Sequence, residues 1–217
     1  MKRASLALIF ILLFSLAAVQ AFAATPQHPA GKLVDTAVKE VLERLGNPAI
    51  HKPGPTQDRL LKEVEAIIYA RLDFEEFSAR TLGARWRTLT DQERKDFEQA
   101  ISDLLYYTYF KSLLQYQGQP VEYVGEIVSA KGDKIEVKTN FIYEGKPIPI
   151  NYRMMNKNGD WRVYDIFIES ISIVQNYRGQ FQQVLQKDSP QELTRMIRAK
   201  ADETKASADA ALASPKL

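Results

Sequence analysis

Cysteine and histidine, which often act as nucleophiles, bases or zinc ligands, are scarce in this sequence. The chain has no cysteine and two histidines, His28 and His51, which stand in separate proline-containing segments. A zinc site needs several clustered ligands, and a Ser-His-Asp triad needs a histidine beside a nucleophile. The ten glycines form neither Gly-x-Gly-x-x-Gly nor a Gly-Lys-Ser/Thr ending, so the sequence has no phosphate-loop pattern. We therefore predict no metal, no cofactor and no enzymatic activity.

Two carboxylates, Asp165 and Glu169, lie in a segment that alternates like a β-strand. Four residues apart on a strand, they would project from one face at a separation of about 13 Å. That is too far for a glycosidase pair. Asp165 alone, near Tyr164 or Tyr152 in an apolar cavity, could serve as a base for proton abstraction. The simpler interpretation, which we favour, is that Asp165 pairs with an arginine or caps a helix turn.

Aromatic side chains are plentiful for a single core. Taken singly, each fits an ordinary core position. The segment 104–110, however, is apolar around most of a helical circumference, and such a helix must contact two surfaces. This segment therefore favours one wall of an apolar ligand site. The aromatic set consists of Tyr106, Tyr107, Tyr109, Phe110, Phe141, Tyr152, Trp161, Tyr164, Phe167, Tyr177 and Phe181.

The N-terminus has the pattern of a cleaved secretory signal peptide over residues 1–23. Lys2 and Arg3 precede an uncharged apolar run over 6–19, and Ala21 and Ala23 are the small residues of a cleavage site. The alternative, a retained membrane anchor, is disfavoured by that site and by the short apolar run. Export without any cysteine indicates the periplasm of a Gram-negative bacterium.

The charge balance argues against a nucleic-acid partner. Once Lys2 and Arg3 are removed, the basic residues equal the 27 acidic residues in number. Binding to nucleic acid would require a basic face.

Apolar residues at three- and four-residue steps predict helices on both sides of a central region with a period of two. Residues 24–31, with two prolines, are expected to form an extended arm. Capping boxes at 90–93 and 189–192 predict two helix starts, and the alanine-rich tail 204–217 is expected to be disordered. The predicted helical segments are 33–45, 56–70, 72–89, 90–114, 170–185 and 190–201.

Four strands are predicted at 121–130, 134–143, 147–155 and 161–169, joined by short connectors that contain glycine. Short connectors make neighbouring strands antiparallel. The fold class is therefore α+β: N-terminal helices on one face of a curved four-stranded antiparallel sheet, then C-terminal helices, with an apolar cavity between. Residues 32–203 would form a single domain, with two intertwined lobes as a variant of that arrangement.

Three segments carry a resemblance to a known family. They are Trp161-Arg162-Val163-Tyr164-Asp165-Ile166, Ser172-Ile173-Val174-Gln175-Asn176-Tyr177-Arg178-Gly179-Gln180-Phe181 and Arg80-Thr81-Leu82-Gly83-Ala84-Arg85-Trp86. Together with the helix that opens at Thr90, these segments resemble the MlaC or toluene-tolerance family. The resemblance covers about residues 33–200.

The resemblance implies a soluble periplasmic protein that holds a glycerophospholipid by its acyl chains between a curved sheet and helices. It also implies two partners that exchange this lipid: an outer-membrane lipoprotein–porin complex and an inner-membrane ABC transporter with an MCE domain. It brings no short catalytic motif. The site residues must therefore be inferred from the faces of the predicted sheet and helices.

The predicted lipid-binding residues combine one face of the sheet with the apolar segment of the long helix. Two other functions stay open: an enzyme on a cone-shaped α+β fold with Asp165 as base, and a periplasmic chaperone or adaptor whose groove takes polypeptide. The predicted lining consists of Leu104, Tyr107, Phe110, Ile135, Val137, Phe141, Ile148, Ile150, Tyr152, Val163 and Phe167.

Overall fold

The computed structural model describes residues 25–213, apart from the side chains of residues 110–112 and 211–213. The predicted signal peptide, residues 1–23, lies outside this range. The helices are α1 (Pro29–Leu45), α2 (Pro55–Tyr69), α3 (Phe74–Leu82), α4 (Asp91–Leu114), α5 (Ile173–Val184) and α6 (Pro190–Ala213), with 3-10 turns at Pro48–His51 and Gly83–Thr88. The strands are β1 (Val121–Val128), β2 (Lys134–Tyr143), β3 (Lys146–Lys157), β4 (Asp160–Ile168) and β5 (Ile171–Ser172).

The strands form one antiparallel sheet in the order β1-β2-β3-β4-β5, so the predicted meander and the α+β class are confirmed. The count of four strands was one too low. Glu169 and Ser170 both have positive φ, 49° and 71°, and turn the chain back so that Ile171 pairs with Ile168. Since a Glu-Ser pair is not a typical turn signal, the sequence predicted a helix here directly after β4.

The capping box predicted at 90–93 is found at the start of α4, and the serine half of the one predicted at 189–192 is found at the start of α6. The Thr90 backbone N–H donates to Glu93 Oε2 at 2.8 Å, and the Glu93 N–H donates back to Thr90 Oγ1 at 3.3 Å. At α6, Ser189 Oγ accepts from the Glu192 N–H at 3.2 Å. These contacts satisfy amide groups that have no partner within the helix.

The extended arm predicted over 24–31 is wrong from Pro29 onward, because α1 begins there. Proline suits the first helical position, and the His28 side chain accepts a hydrogen bond from the Ala30 N–H at 3.2 Å. The His28 N–H donates to Glu126 Oε1 of β1 at 2.7 Å. A Cβ on Gly31 would stand 2.2 Å from Glu126 Oε2, so the missing side chain lets α1 lie against the sheet.

The tail predicted to be disordered over 204–217 is helical as far as Ala213. Its Ala208 is 1% exposed and packs among side chains of α1 and α2. A run of alanine, lysine and acidic residues has high helix propensity, and the small Ala208 side chain permits close approach to the neighbouring helices. The sequence prediction gave weight to composition and missed this tertiary contact.

Buried side chains form three apolar clusters. The helical core joins α3, α4, α5 and the first half of α6; the sheet core joins α1 to the sheet; the lateral core joins α1, α2 and the ends of α4 and α6. Representative members are Phe97, Ile101 and Leu193 in the helical core, Val34, Val137 and Met154 in the sheet core, and Ile50, Leu60 and Ala208 in the lateral core.

Candidate functional site

A largely enclosed apolar cavity of about 220 Å³ lies between the helices and β4. Its walls come from the end of α2, the start of α3, the second half of α4, strand β4 and the start of α5. Almost all of the lining is hydrocarbon or aromatic ring. The lining residues are Ile68, Tyr69, Leu72, Asp73, Phe74, Phe77, Ser102, Leu105, Tyr106, Tyr109, Leu113, Val163, Tyr164, Asp165, Ile166, Ile168 and Ile173.

The cavity lies where the three cores meet. Phe77 and Ile173 belong to the helical core, Val163 belongs to the sheet core, and Leu113 packs against the lateral core. Ile166 contacts both the helical core and the sheet core. The members of each cluster are buried, and the free volume lies at the boundary that the clusters share.

The connector between α2 and α3 closes one side of the cavity. Leu72 forms a parallel bridge with Val163: the Asp73 N–H donates to the Val163 carbonyl and the Val163 N–H donates to the Arg71 carbonyl, each at 2.8 Å. Asp73 is 8% exposed, and its Oδ2 lies 2.7 Å from Lys157 Nζ at the end of β3. These contacts hold Leu72 over the apolar floor of β4.

The cavity floor continues onto a half-exposed part of the sheet. Ile166 and Ile168 of β4 line the cavity, and their register partners on β3 are Tyr152 and Ile150. These two residues are partly exposed, as is Ile148 further along the same face of β3. The enclosed cavity and this apolar strip therefore share one face of the sheet.

The structure brings part of the predicted lining to this face. Val163 borders the cavity, and Ile148, Ile150 and Tyr152 lie on the same sheet face as its floor. Phe141 pairs with Ile148 at the far end of the strip, where its ring stacks with Tyr143 at 6.4 Å. For Phe141, Ile148, Ile150 and Tyr152 the predicted placement on one face of the sheet is confirmed.

Ile135 and Val137 also lie on that face, but they are 2% and 0% exposed within the sheet core. Leu104 is buried in the helical core, and the Tyr107 ring lies under Lys205 Nζ at 5.7 Å. None of these four borders the cavity among the residues that the structure describes. The side chain of Phe110 lies outside the described part of the chain.

Phe167 lies on the opposite face of the sheet from the one predicted. The register between β3 and β4 shifts at one point, because Arg153 pairs with Asp165 but the next residue, Met154, pairs with Val163. Strand β4 therefore has one extra residue there, Tyr164. The Phe167 ring accordingly lies under the Arg153 guanidinium, 4.2 Å from it. A β-bulge of this kind inverts the alternation beyond it, and the sequence carries no clear signal for it.

Several lining residues were not predicted. On α4 the cavity takes Leu105, Tyr106, Tyr109 and Leu113, whereas the sequence analysis chose Leu104 and Tyr107 from the same apolar segment. The observed four residues lie on one helical face. The periodicity of the sequence was therefore compatible with this face as well as with the predicted one. The α2 and α3 residues depended on the path of the connector over β4, which has no local signature.

Asp165 acts as a structural cap. Its carboxylate accepts a hydrogen bond from Ser172 Oγ at 2.6 Å and another from the Val174 N–H at 3.1 Å, in the first turn of α5. It is 5% exposed. The favoured capping role is thus confirmed, and both carboxylate oxygens are already engaged. Glu169 lies in the β4–β5 turn, not on the strand with Asp165.

Comparison with known proteins identifies the family. Residues 35–199 match the family described as MlaC protein. The chain belongs to the MlaC family.

The chain is also similar to two named proteins. The intermembrane phospholipid transport system binding protein MlaC of Haemophilus influenzae is 22% identical over 129 residues, which cover 58% of this chain and 59% of that protein. The chain therefore matches less than two thirds of that relative's length. A phospholipid-binding protein from Ralstonia solanacearum, solved in complex with a phospholipid, matches with a TM-score of 0.73 and 24% identity over 81% of this chain and 98% of that chain. This likeness establishes the shared fold.

The cavity of this MlaC-family chain is bordered by phenols that stay neutral. Burial raises the pKa of Tyr69 to about 12, and it also raises the pKa values of Tyr106 and Tyr109. Neutral phenols in these walls add apolar surface without a charge.

Over residues 25–213, helices that are both apolar and long enough to cross a bilayer are absent.

Proposed function

We propose that this chain is a periplasmic phospholipid carrier, exported by a cleaved signal peptide. It would hold glycerophospholipid acyl chains and shuttle the lipid between an outer-membrane lipoprotein–porin complex and an inner-membrane ABC transporter with an MCE domain. The observation that carries the proposal is the apolar cavity, whose floor at Ile166 and Ile168 continues onto the half-exposed strip at Tyr152 and Ile150. The family and the named relatives support the same class of ligand.

The magnitude of the hydrophobic effect explains why such a carrier needs an apolar interior. A phospholipid has about 30 methylenes, each worth about 0.8 kcal/mol on leaving water, so its tails oppose solution in water by roughly 20–25 kcal/mol. A carrier must therefore cover most of both tails. It must also release them, which favours a pocket that matches bilayer hydrocarbon and does not greatly exceed it.

The present cavity is smaller than its ligand requires. Pockets for drug-sized molecules span about 300–1,000 Å³, whereas this cavity measures about 220 Å³. The acyl chains would therefore occupy the enclosed cavity together with the adjoining strip at Ile148, Ile150 and Tyr152. A headgroup at the open end of that strip would remain in water, so headgroup selectivity is expected to be weak.

The decisive test is solvent extraction and mass spectrometry of the purified mature protein. We expect glycerophospholipid in close to stoichiometric amount. Protein that purifies empty of lipid and suppresses aggregation of unfolded clients would instead support the chaperone alternative. Turnover of a small hydrophobic substrate that is lost in Asp165→Asn while bound lipid is retained would support the enzyme.

A matched pair of variants ties the lipid to the cavity. Leu105→Trp places a larger apolar side chain in the cavity wall and should reduce copurified lipid by about tenfold without unfolding the protein. Ile127→Trp makes the same kind of change at a position that is 57% exposed on β1 and should leave the lipid content unchanged. Equal lipid in both variants would contradict the location of the site.

A further inference from the structure

Two segments of the chain are free of acidic residues and pack against each other. Residues 77–90 contain Arg80, Arg85 and Arg87 but no Asp or Glu, and residues 170–187 contain Arg178 and Lys187 but no Asp or Glu. This distribution is uneven, because residues 24–217 taken as a whole contain equal numbers of basic and acidic residues. The first segment covers most of α3 and the following 3-10 turn, and the second covers α5.

The contact between the segments is direct. The Arg178 guanidinium lies 3.6 Å from the point where a Cβ would stand on Gly83, and Gln182 Nε2 donates to the Leu82 carbonyl at 3.3 Å. Below the surface, the rings of Phe77 and Tyr177 meet at 6.5 Å. Arg178 is thus brought beside the turn that presents Arg85 and Arg87.

The exposed arginines on this surface form no ion pair within the part of the chain that the structure describes. Arg85, Arg87 and Arg178 are exposed, and none of them takes part in an ion pair with any residue whose side chain the structure describes. Arg80 differs, because its guanidinium is bound to Glu76 at 2.6 Å. Elsewhere on the surface, arginines such as Arg195 have a carboxylate within the same helix.

The turn that carries these arginines is held in place. Thr88 Oγ1 donates to the Arg85 carbonyl at 2.8 Å, and Arg94 Nε donates to the Trp86 carbonyl at 3.3 Å. The Arg94 guanidinium also lies 5.4 Å from the centre of the Trp86 ring. The Arg85 and Arg87 side chains therefore project from a fixed backbone, which suits recognition of a defined pattern of carboxylates.

We propose that this basic surface, formed by Arg85, Arg87 and Arg178, docks an acidic protein surface on the membrane complexes that exchange lipid with the carrier. A protein partner is favoured over a bilayer because the large exposed apolar side chains of the described chain lie outside α3, the 3-10 turn and α5, at Val124, Ile127, Val128, Tyr143, Ile171 and Met196. A guanidinium fork matches a carboxylate in geometry as well as in charge. For the identity of the partners, this inference rests on the proposed function.

Helix α3 connects the basic surface to the cavity. Helix α3 begins with Phe74 and Phe77 in the cavity wall and ends at the turn that carries Arg85. Near its end, the Arg80 guanidinium lies 4.2 Å from the centre of the Tyr164 ring, and Tyr164 also borders the cavity. A partner bound at the basic surface would therefore contact the same helix that encloses the lipid.

The test is a binding titration of the full mature protein against each of the two membrane complexes from the same organism, reconstituted in nanodiscs of neutral lipid. The double variant Arg85→Glu/Arg87→Glu should weaken binding to at least one complex by about tenfold or more, and added salt should weaken wild-type binding. The control, Lys131→Glu/Lys146→Glu, makes the same charge change at two exposed hairpin positions and should bind as wild type does.

Three results would overturn the proposal. They are unchanged binding of the arginine variant to both complexes, equal weakening by the control, and wild-type binding to protein-free vesicles of anionic lipid that the arginine variant loses. Lipid content, measured on the same preparations, separates this inference from the proposed function. The arginine variant should keep its copurified lipid, whereas wild-type protein without lipid would contradict the carrier function and leave the docking result to stand on its own.

Discussion

The same face of one sheet is filled in one region and hollow in another. Under α1, Val137 of β2 and Met154 of β3 are both 0% exposed. On β4, Ile166 and Ile168 border a cavity of about 220 Å³. Both regions present aliphatic side chains in an antiparallel ladder, so the sheet itself does not determine which region is filled.

The difference comes from what the helices bring to the sheet. Helix α1 presents Ala30, Gly31 and Val34, which are small enough to let its backbone approach closely. Helix α4 presents large side chains such as Tyr106 and Tyr109 to the cavity. Bulky side chains hold a helix away from its neighbours, and their rings cannot fill the whole space beneath it. Hydrophobic patterning therefore predicts an apolar contact, and side-chain size decides whether the contact contains a void.

The largest expected difference between the two regions is in stability. Met154→Ala should lower the free energy of unfolding by about 2–5 kcal/mol, because it creates a new cavity in a filled core. Ile168→Ala should cost only about 1 kcal/mol, since its side chain already borders free volume and is partly exposed. Urea unfolding of both variants measures the difference. Equal losses would show that the cavity region is as tightly packed as the sheet core.

A second prediction concerns the half-exposed strip that adjoins the cavity. Ile150→Arg should fold with a loss of less than about 1 kcal/mol, because the long arginine side chain can reach water from a partly exposed position. A charged side chain on the strip beside Ile168 would interrupt the apolar path for the acyl chains and should abolish lipid copurification. Stoichiometric lipid in this variant would remove the strip from the site and confine binding to the enclosed cavity.

The sequence was sufficient for the order of the elements and for the strand faces of β2 and β3. The alternation of Ile135 with Val137, and of Ile148 with Ile150, correctly placed these residues on one face. It was insufficient where a single residue changes the geometry. The extra Tyr164 in β4 inverted the position of Phe167, and local alternation gives no warning of such a bulge.

The cavity was predicted in kind, and its predicted lining coincides with the observed one only in part. The predicted lining drew on β2, β3, β4 and α4, and along β2 the residues Ile135 and Val137 instead pack closely under the small residues of α1. The observed space depends on the α2–α3 connector, where Leu72 bridges to Val163 across a long stretch of sequence. Such a contact is set by the assembled fold, so no window of local sequence contains it.

The smallest expected effect is a change in how the free energy of unfolding depends on pH in the alkaline range. Tyr69, at the cavity wall, has a pKa raised by burial to about 12, above the value of about 10 for an unfolded chain. Between these two values the unfolded chain has lost its proton while the folded protein keeps it, so stability falls as pH rises through this window. With allowance for solvent screening, this group should contribute about 1 kcal/mol of that loss.

Tyr69→Phe should therefore flatten the dependence of unfolding free energy on pH, measured by urea titration between about pH 9 and pH 12. Tyr143→Phe, at a position 47% exposed, is the matched control and should leave that dependence unchanged. If both variants behave alike, the Tyr69 phenol is already in contact with water, and the cavity beside it is open to solvent in a way that the sheet core is not.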